Sequence, residues 1–173
     1  QALIEHTAAR LSSAGAQISD VNFAPPFADA LQQHRRIFAF EAARNYAYEY
    51  EEYNELVSEV LRDTLLTPGR KLPLAEYVEA IEMAEAFRAH LDDVFSDVDV
   101  LLTPSAPGEA PLGLGSTGNP NFNSIWTLAW TPSLTLPAGT GPNGLPLGVQ
   151  LVGPRFHDEA LFAAAAWVET KLG

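Results

Sequence analysis

The chain has 173 residues, 47% of them hydrophobic, and sets 10 basic against 22 acidic side chains for a formal charge of -12. A chain of this length buries roughly 70% of its extended surface and can build a core, whereas its negative charge repels phosphate backbones and excludes nucleic acid as an expected partner. The absence of cysteine removes disulfides, thiolate metal sites and thiol nucleophiles; no apolar run nears the ~18 residues of a membrane span, so a soluble, cytoplasmic protein with no membrane partner is expected.

The chain opens on Gln1, and its only methionine is Met83. Residues 2–11 already read as helix, with Leu3, Ile4, Thr7, Ala8 and Leu11 on one face and no capping residue before them. Both features are expected of a piece of a larger protein. Gly15 reads as a C-cap, and residues 16–23 alternate enough (Ile18, Val21, Phe23) to predict a short strand broken by Pro25 and Pro26. Residues 27–66 predict two helices with Leu31, residues 37–40, Tyr46, Tyr50, Tyr53, Leu56, Val57, Val60 and Leu61 as core candidates, ended by Pro68 and Gly69. Residues 74–95 carry the cleanest helical stripe: Leu74, Tyr77, Val78, Ile81, Ala84, Phe87, Leu91, Val94 and Phe95.

Composition changes at Asp97. Residues 98–103 predict a buried strand stopped by Pro104, residues 105–120 a Pro/Gly-rich loop, and residues 121–130 a short helix. Residues 133–138 and 147–152 predict a strand pair about a turn containing Asn143-Gly144. A last helix opens at His157, Asp158 and Glu159 and runs to about Leu172, with Leu161, Ala165 and Val168 inward. The expected class is α/β without internal repeats.

Local chemistry is sparse. Gly113, Gly115 and Gly118 have dinucleotide-loop spacing but follow no strand, and no acidic residue lies about twenty positions on. Ser116 lacks the first glycine of a nucleophile elbow. His6, His34, His90 and His157 have no metal-ligand spacing; Glu49, Glu51, Glu52, Glu55 and Glu59 read as a solvated helical face. A serine nucleophile needs a base, and neither Lys71, read as a loop residue, nor Lys171 near the end is placed for burial. The adjacent serines Ser12 and Ser13 have no flanking glycines for an oxyanion site. No catalytic constellation assembles within the chain.

The last third carries four blocks in order: Asp99-Val100-Leu101-Leu102-Thr103-Pro104; Asn123-Ser124-Ile125-Trp126-Thr127; Pro132-Ser133-Leu134-Thr135-Leu136-Pro137-Ala138-Gly139; and Gly144-Leu145-Pro146-Leu147-Gly148-Val149-Gln150-Leu151-Val152-Gly153. Together they resemble the closing region of amidase signature enzymes, the Asn-x-x-Trp-Thr version being most similar to the malonamidase-like branch. Asp158, Glu159 and Leu161 are similar to the start of the family's terminal helix, and Glu41 with Tyr48, then Gly69 with Tyr77, fit its upstream order.

The resemblance implies a partial amidase signature fold, a mixed β-sheet flanked by helices, with residues 1–173 as the C-terminal part of a single domain. It implies hydrolysis of a small-molecule carboxamide through a serine acyl-enzyme, with no metal or cofactor. The Ser-Ser-Lys catalytic trio is expected upstream, in a missing N-terminal half that would be this chain's partner, so the catalytic set here is empty and the chain alone is expected to be inactive. Asn123, Trp126 and Thr127 match the segment that helps line the family's acyl pocket; the plain alternative makes Trp126 core and Asn123 a helix cap. Trp130 stands where many members have glycine and is expected to narrow or redirect that pocket. A non-catalytic binding or structural module is the alternative reading, and a homodimer is left open.

Overall fold

The computed structural model describes residues 1–23 and 27–172, without the side chains at 27 and 28. In chain order the elements are α1 (Ala2–Ser13), α2 (Phe27–Asn45), α3 (Ala47–Glu52), α4 (Glu59–Leu61), α5 (Thr67–Lys71), α6 (Leu74–Val94), β1 (Leu101–Pro104), α7 (Asn121–Ala129), β2 (Ser133–Thr140), β3 (Pro146–Val152) and α8 (Asp158–Leu172). A 3₁₀ turn at Asn54–Leu56 and a π turn at Arg62–Leu66 complete the helical set. The chain divides into two compact units, Gln1–Asn22 with Arg88–Gly173, and Phe23–Phe87.

The first unit is an α/β body. Its sheet runs in the order β1-β3-β2, with β3 antiparallel to both neighbours. A central strand is shielded on both edges, which is why residues 149–152 are all buried. Side chains alternate along it. Val149 and Leu151 join Leu136 of β2, Leu11 of α1, and Leu161, Ala165 and Val168 of α8 in one apolar cluster, while Gln150 points to the opposite face. Burying each of the valine and leucine side chains stabilises the unit by about 1.5–3 kcal/mol. The Arg10 side chain of α1 donates to the Lys171 carbonyl at 2.6 Å, tying the two helices at their ends.

Helix α1 ends in the expected way. Gly15 takes φ +103°, its N–H reaches the Ser12 carbonyl, and the Ala16 N–H reaches the Leu11 carbonyl. That pair of bonds is the Schellman arrangement, which needs a left-handed residue at this position.

Two strand expectations change. Residues 16–23 are not part of the three-stranded sheet found among the described residues; alternation supplies a face but not a neighbour to pair with. Pro25 and Pro26, expected to break that strand, lie outside the described residues. The strand expected at 98–103 is Leu101–Pro104 instead, because Leu101 already pairs with Val152, the last residue of β3, leaving residues 98–100 nothing to pair with. Pro104 is tolerated at the end of an edge strand, where its missing N–H costs no interior ladder bond.

The second unit is helical, and it overturns the reading of Pro68 and Gly69 as a stop. Residues 59–71 form one helical run, with Pro68 just after the π turn Arg62–Leu66, whose wider spacing departs from the regular α-helical ladder. Gly69 is buried within α5 because α2 crosses it closely: a Cβ there would lie 1.9 Å from the Ala39 carbonyl oxygen. Lys71 is accordingly the exposed last residue of α5 rather than a loop residue.

The close crossing also explains which α2 residues are inside. Ala30, Phe40, Ala42 and Ala43 are buried, whereas Phe38, Tyr46, Tyr53, Leu56 and Val60, offered as core by their apolarity, are exposed. Small residues let backbones approach. Phe40 stacks on Tyr77 at 4.0 Å between ring centroids and carries the Arg44 guanidinium on its ring; the Tyr77 hydroxyl donates to Glu41 at 2.9 Å. Along α6 the expected positions Ala84, Phe87 and Leu91 are buried together with Ala80 and Arg88, while Leu74 and Val78, at its first turns, are exposed.

Candidate functional site

Helix α7 holds the candidate wall. Pro120 precedes it without a side-chain cap, and the Asn121 N–H is met by the Asn119 side chain at 2.9 Å. Asn123 therefore does not cap the helix. Asn123 and Thr127, four residues apart, share one face of the helix; both are exposed, as is Trp130 just past the helix end. Trp126 is 3% exposed and belongs to the interior beneath that face. The structure thus leaves Asn123, Thr127 and Trp130 at the surface along and just past α7, with Trp126 in the interior.

Asn123 is held from three sides. Its Oδ1 accepts from Gln150 Nε2 at 2.7 Å, and its Nδ2 donates to the Ser105 carbonyl at 3.4 Å. Gln150, 3% exposed, in turn accepts from the Thr103 hydroxyl at 3.2 Å. The Thr127 hydroxyl donates to the Asn123 carbonyl at 3.2 Å, which fixes its rotamer along the helix. A polar chain therefore runs from β1 across β3 to α7, with every link satisfied by a neighbour.

Trp130 ends α7 in the left-handed region, φ 60°. A conformation that glycine adopts freely costs another residue roughly 1–2 kcal/mol, so backbone geometry gives the reason why glycine suits this position. The indole, 56% exposed, lies over the guanidinium of Arg88, 3.6 Å from its ring centroid. Arg88 is itself buried and donates through Nε to the Leu128 carbonyl at 2.8 Å. One buried cation thus supports both the last turn of α7 and the ring beyond it.

The loop between β1 and α7 is tied down by Glu109. Its carboxylate accepts from the Asn143 backbone N–H at 2.9 Å, the Asn143 Nδ2 at 2.6 Å and the Leu145 N–H at 3.0 Å, all in the β2–β3 turn. Desolvation pushes the carboxyl upward, but the bonds from Asn143 and Leu145 outweigh it and hold the group below the ordinary carboxylate value.

The remaining sequence candidates have ordinary local settings. The Gly113–Gly118 segment is an irregular loop with Leu112 and Leu114 fully exposed. Ser13 donates to the Ala9 carbonyl at 3.0 Å at the end of α1, and the Lys171 ammonium sits 5.6 Å from the Trp167 ring centroid. Glu49, Glu51, Glu52, Glu55 and Glu59 are all exposed, Glu51 pairing with Arg70 at 2.9 Å. Among the described residues, no group of three or more His, Asp or Glu is arranged to hold a metal ion.

Sequence reasoning missed Gln150, Arg88 and Glu109. Gln150 had a signal, being the one polar side chain in the apolar run 147–152, and Arg88 interrupts the inward stripe of α6. Glu109 had none, since its partners lie 34 and 36 residues away.

Fold and site together define a helix-flanked sheet presenting a rigid polar face on a short helix. The amidase family model matches residues 1–162, and the chain belongs to the amidase family. Among similar proteins is a glutamyl-tRNA(Gln) amidotransferase subunit of Granulibacter bethesdensis, 31% identical over 199 residues that cover 96% of this chain and 39% of the relative. The protein of the same description from Azorhizobium caulinodans is 37% identical over 109 residues, covering 57% of this chain and 22% of the relative. A solved amidase superposes with a TM-score of 0.88 at 27% identity, covering 99% of this chain and 42% of that one. A bacterial aryl acylamidase of the amidase signature family shares the fold with a TM-score of 0.78 at 19% identity, covering 98% and 39%. The chain spans about two fifths or less of these relatives' lengths. Among the described residues, no helix is long and apolar enough to cross a membrane.

Proposed function

We propose that residues 1–173 are the C-terminal part of a cytoplasmic enzyme that hydrolyses a carboxamide C–N bond, and that the exposed face of α7 is one wall of its acyl pocket. The family match over residues 1–162 carries this reading. The nucleophilic serine and its Ser-Lys partners stand upstream of Gln1, the serine Oγ attacks the carboxamide carbon, ammonia or an amine departs with a proton, and water then releases the acid. Asn123, Thr127 and Trp130 face the acyl group, and Trp126 fills the space behind them. Large apolar side chains left exposed in the helical unit, among them Phe38, Leu56 and Val60, support a further segment of the protein that covers them.

Trapping locates the nucleophile. The product of the native gene, quenched while turning over a primary carboxamide and digested for mass analysis, is expected to carry the acyl mass on a serine before Gln1 and none within residues 1–173. Acyl label on a serine within residues 1–173 sinks the reading.

The names of the relatives favour a second reading in which the whole protein works within an amidotransferase and delivers the released ammonia to a second substrate. It predicts that the protein purifies with other polypeptides and that ammonia release depends on them. Turnover by the single polypeptide at full rate favours the hydrolase. A free-standing module without chemistry predicts no turnover at all.

A further inference from the structure

We infer that Gln150 is a positioning residue that fixes Asn123 as a hydrogen-bond donor toward the ligand, so that the acyl side of the substrate carries an acceptor oxygen. The inference rests on the reading of α7 as an acyl-pocket wall. A side-chain amide has a donor end and an acceptor end of nearly equal shape, and which one a pocket presents is decided by the partners of the other.

Here the direction is set by Ser105. Its backbone carbonyl can only accept, so the Asn123 group facing it must be Nδ2, at 3.4 Å. Oδ1 is then the atom facing Gln150, whose Nε2 donates to it at 2.7 Å. Gln150 is left with its Oε1 for the Thr103 hydroxyl at 3.2 Å, and the chain of bonds has one consistent sense from Thr103 to Ser105. Gln150 cannot easily turn, because it is 3% exposed and its strand is paired on both sides, with Thr103 and with Thr135.

The consequence is at the exposed end. Among the described residues, the Asn123 side chain engages one lone pair of its carbonyl oxygen with Gln150 and one amide hydrogen with Ser105. The second Nδ2 hydrogen remains on a side chain that is open to solvent. A ligand meeting this face finds a fixed N–H, which donates to a carbonyl, ether or carboxylate oxygen and gains nothing from a bare methylene. A neutral bond of this kind contributes a discrimination of about 3- to 10-fold.

The test uses the product of the native gene and pairs of primary carboxamides: straight-chain alkyl amides, and the same amides with a ketone in place of one methylene at each successive position. For the best pair, the wild-type protein is expected to favour the oxo-amide in kcat/KM by about 5-fold or more. Gln150→Glu removes the donor to Asn123, and Asn123→Asp removes the donor to the ligand. Each is expected to bring that ratio close to one, while Asn123→Gln retains part of it. A wild-type ratio near one at every position, or a ratio unchanged in both variants, overturns this inference and leaves amide hydrolysis standing. Absence of turnover of any amide by the wild-type protein overturns both.

Discussion

The guanidinium of Arg88 lies beneath the ring of Trp130, 3.6 Å from its centroid, and the same side chain donates to the carbonyl of Leu128 two residues before. A buried cation therefore props the end of α7 through one hydrogen bond and one ring face. Removing it leaves the Leu128 carbonyl without that donor and opens space under the indole. Arg88→Ala is expected to lower stability by about 3 kcal/mol in denaturant titration. A loss under about 1 kcal/mol means the stack and bond are replaced by water.

Trp130→Gly sets two terms against each other. Glycine relieves a left-handed position worth roughly 1–2 kcal/mol, and losing the ring forfeits a cation contact of about 0.5–2 kcal/mol. Stability is expected to stay within about 1 kcal/mol of wild type, while bulkier acyl groups gain access if the ring narrows the pocket. Comparison of kcat/KM for long and short amides checks the second part; an unchanged length profile removes Trp130 from the pocket.

Gly69 has no such balance. A methyl group at this position meets the Ala39 carbonyl oxygen at 1.9 Å, a backbone atom that cannot swing away. Gly69→Ala must part α2 from α5, and a loss of about 3 kcal/mol or more is expected despite alanine's better helix propensity. Equal or higher stability in thermal unfolding contradicts the close crossing.

Much of the fold was legible and some was not, for identifiable reasons. Helix α8 and its inward residues Leu161, Ala165 and Val168 were read correctly, as was the β2–β3 pair, because period and turn chemistry are local signals. Residues 16–23 misled because alternation says nothing about a partner strand, and Pro68-Gly69 because a proline just after a π turn and a glycine at a crossing look the same in sequence as a stop. The short helix expected at residues 121–130 is α7. The ties at the site, Gln150 to Asn123 and Arg88 to Trp130, join positions 27 and 42 residues apart and leave no local pattern.

Glu109 gives a pH dependence with a definite sign. Its folded carboxyl is held below the ordinary carboxylate value by bonds from Asn143 and Leu145, against desolvation. The contribution is therefore fully present above the unfolded value and lost as pH falls through the lowered folded value. Hydrogen exchange at the Asn143 and Leu145 amides is expected to lose protection over that acid range. Glu109→Gln, with a weaker neutral acceptor, is expected to reduce protection at neutral pH as well. Protection that is independent of both changes means the turn does not depend on the carboxylate.

The most direct measurement of the central claim is ammonia release from a panel of primary carboxamides by two proteins side by side, the product of the native gene and residues 1–173 alone. Turnover by the native product with none by residues 1–173 is the predicted result, since the proposal puts the nucleophile outside residues 1–173. Turnover by residues 1–173 alone, or none by the native product, contradicts it.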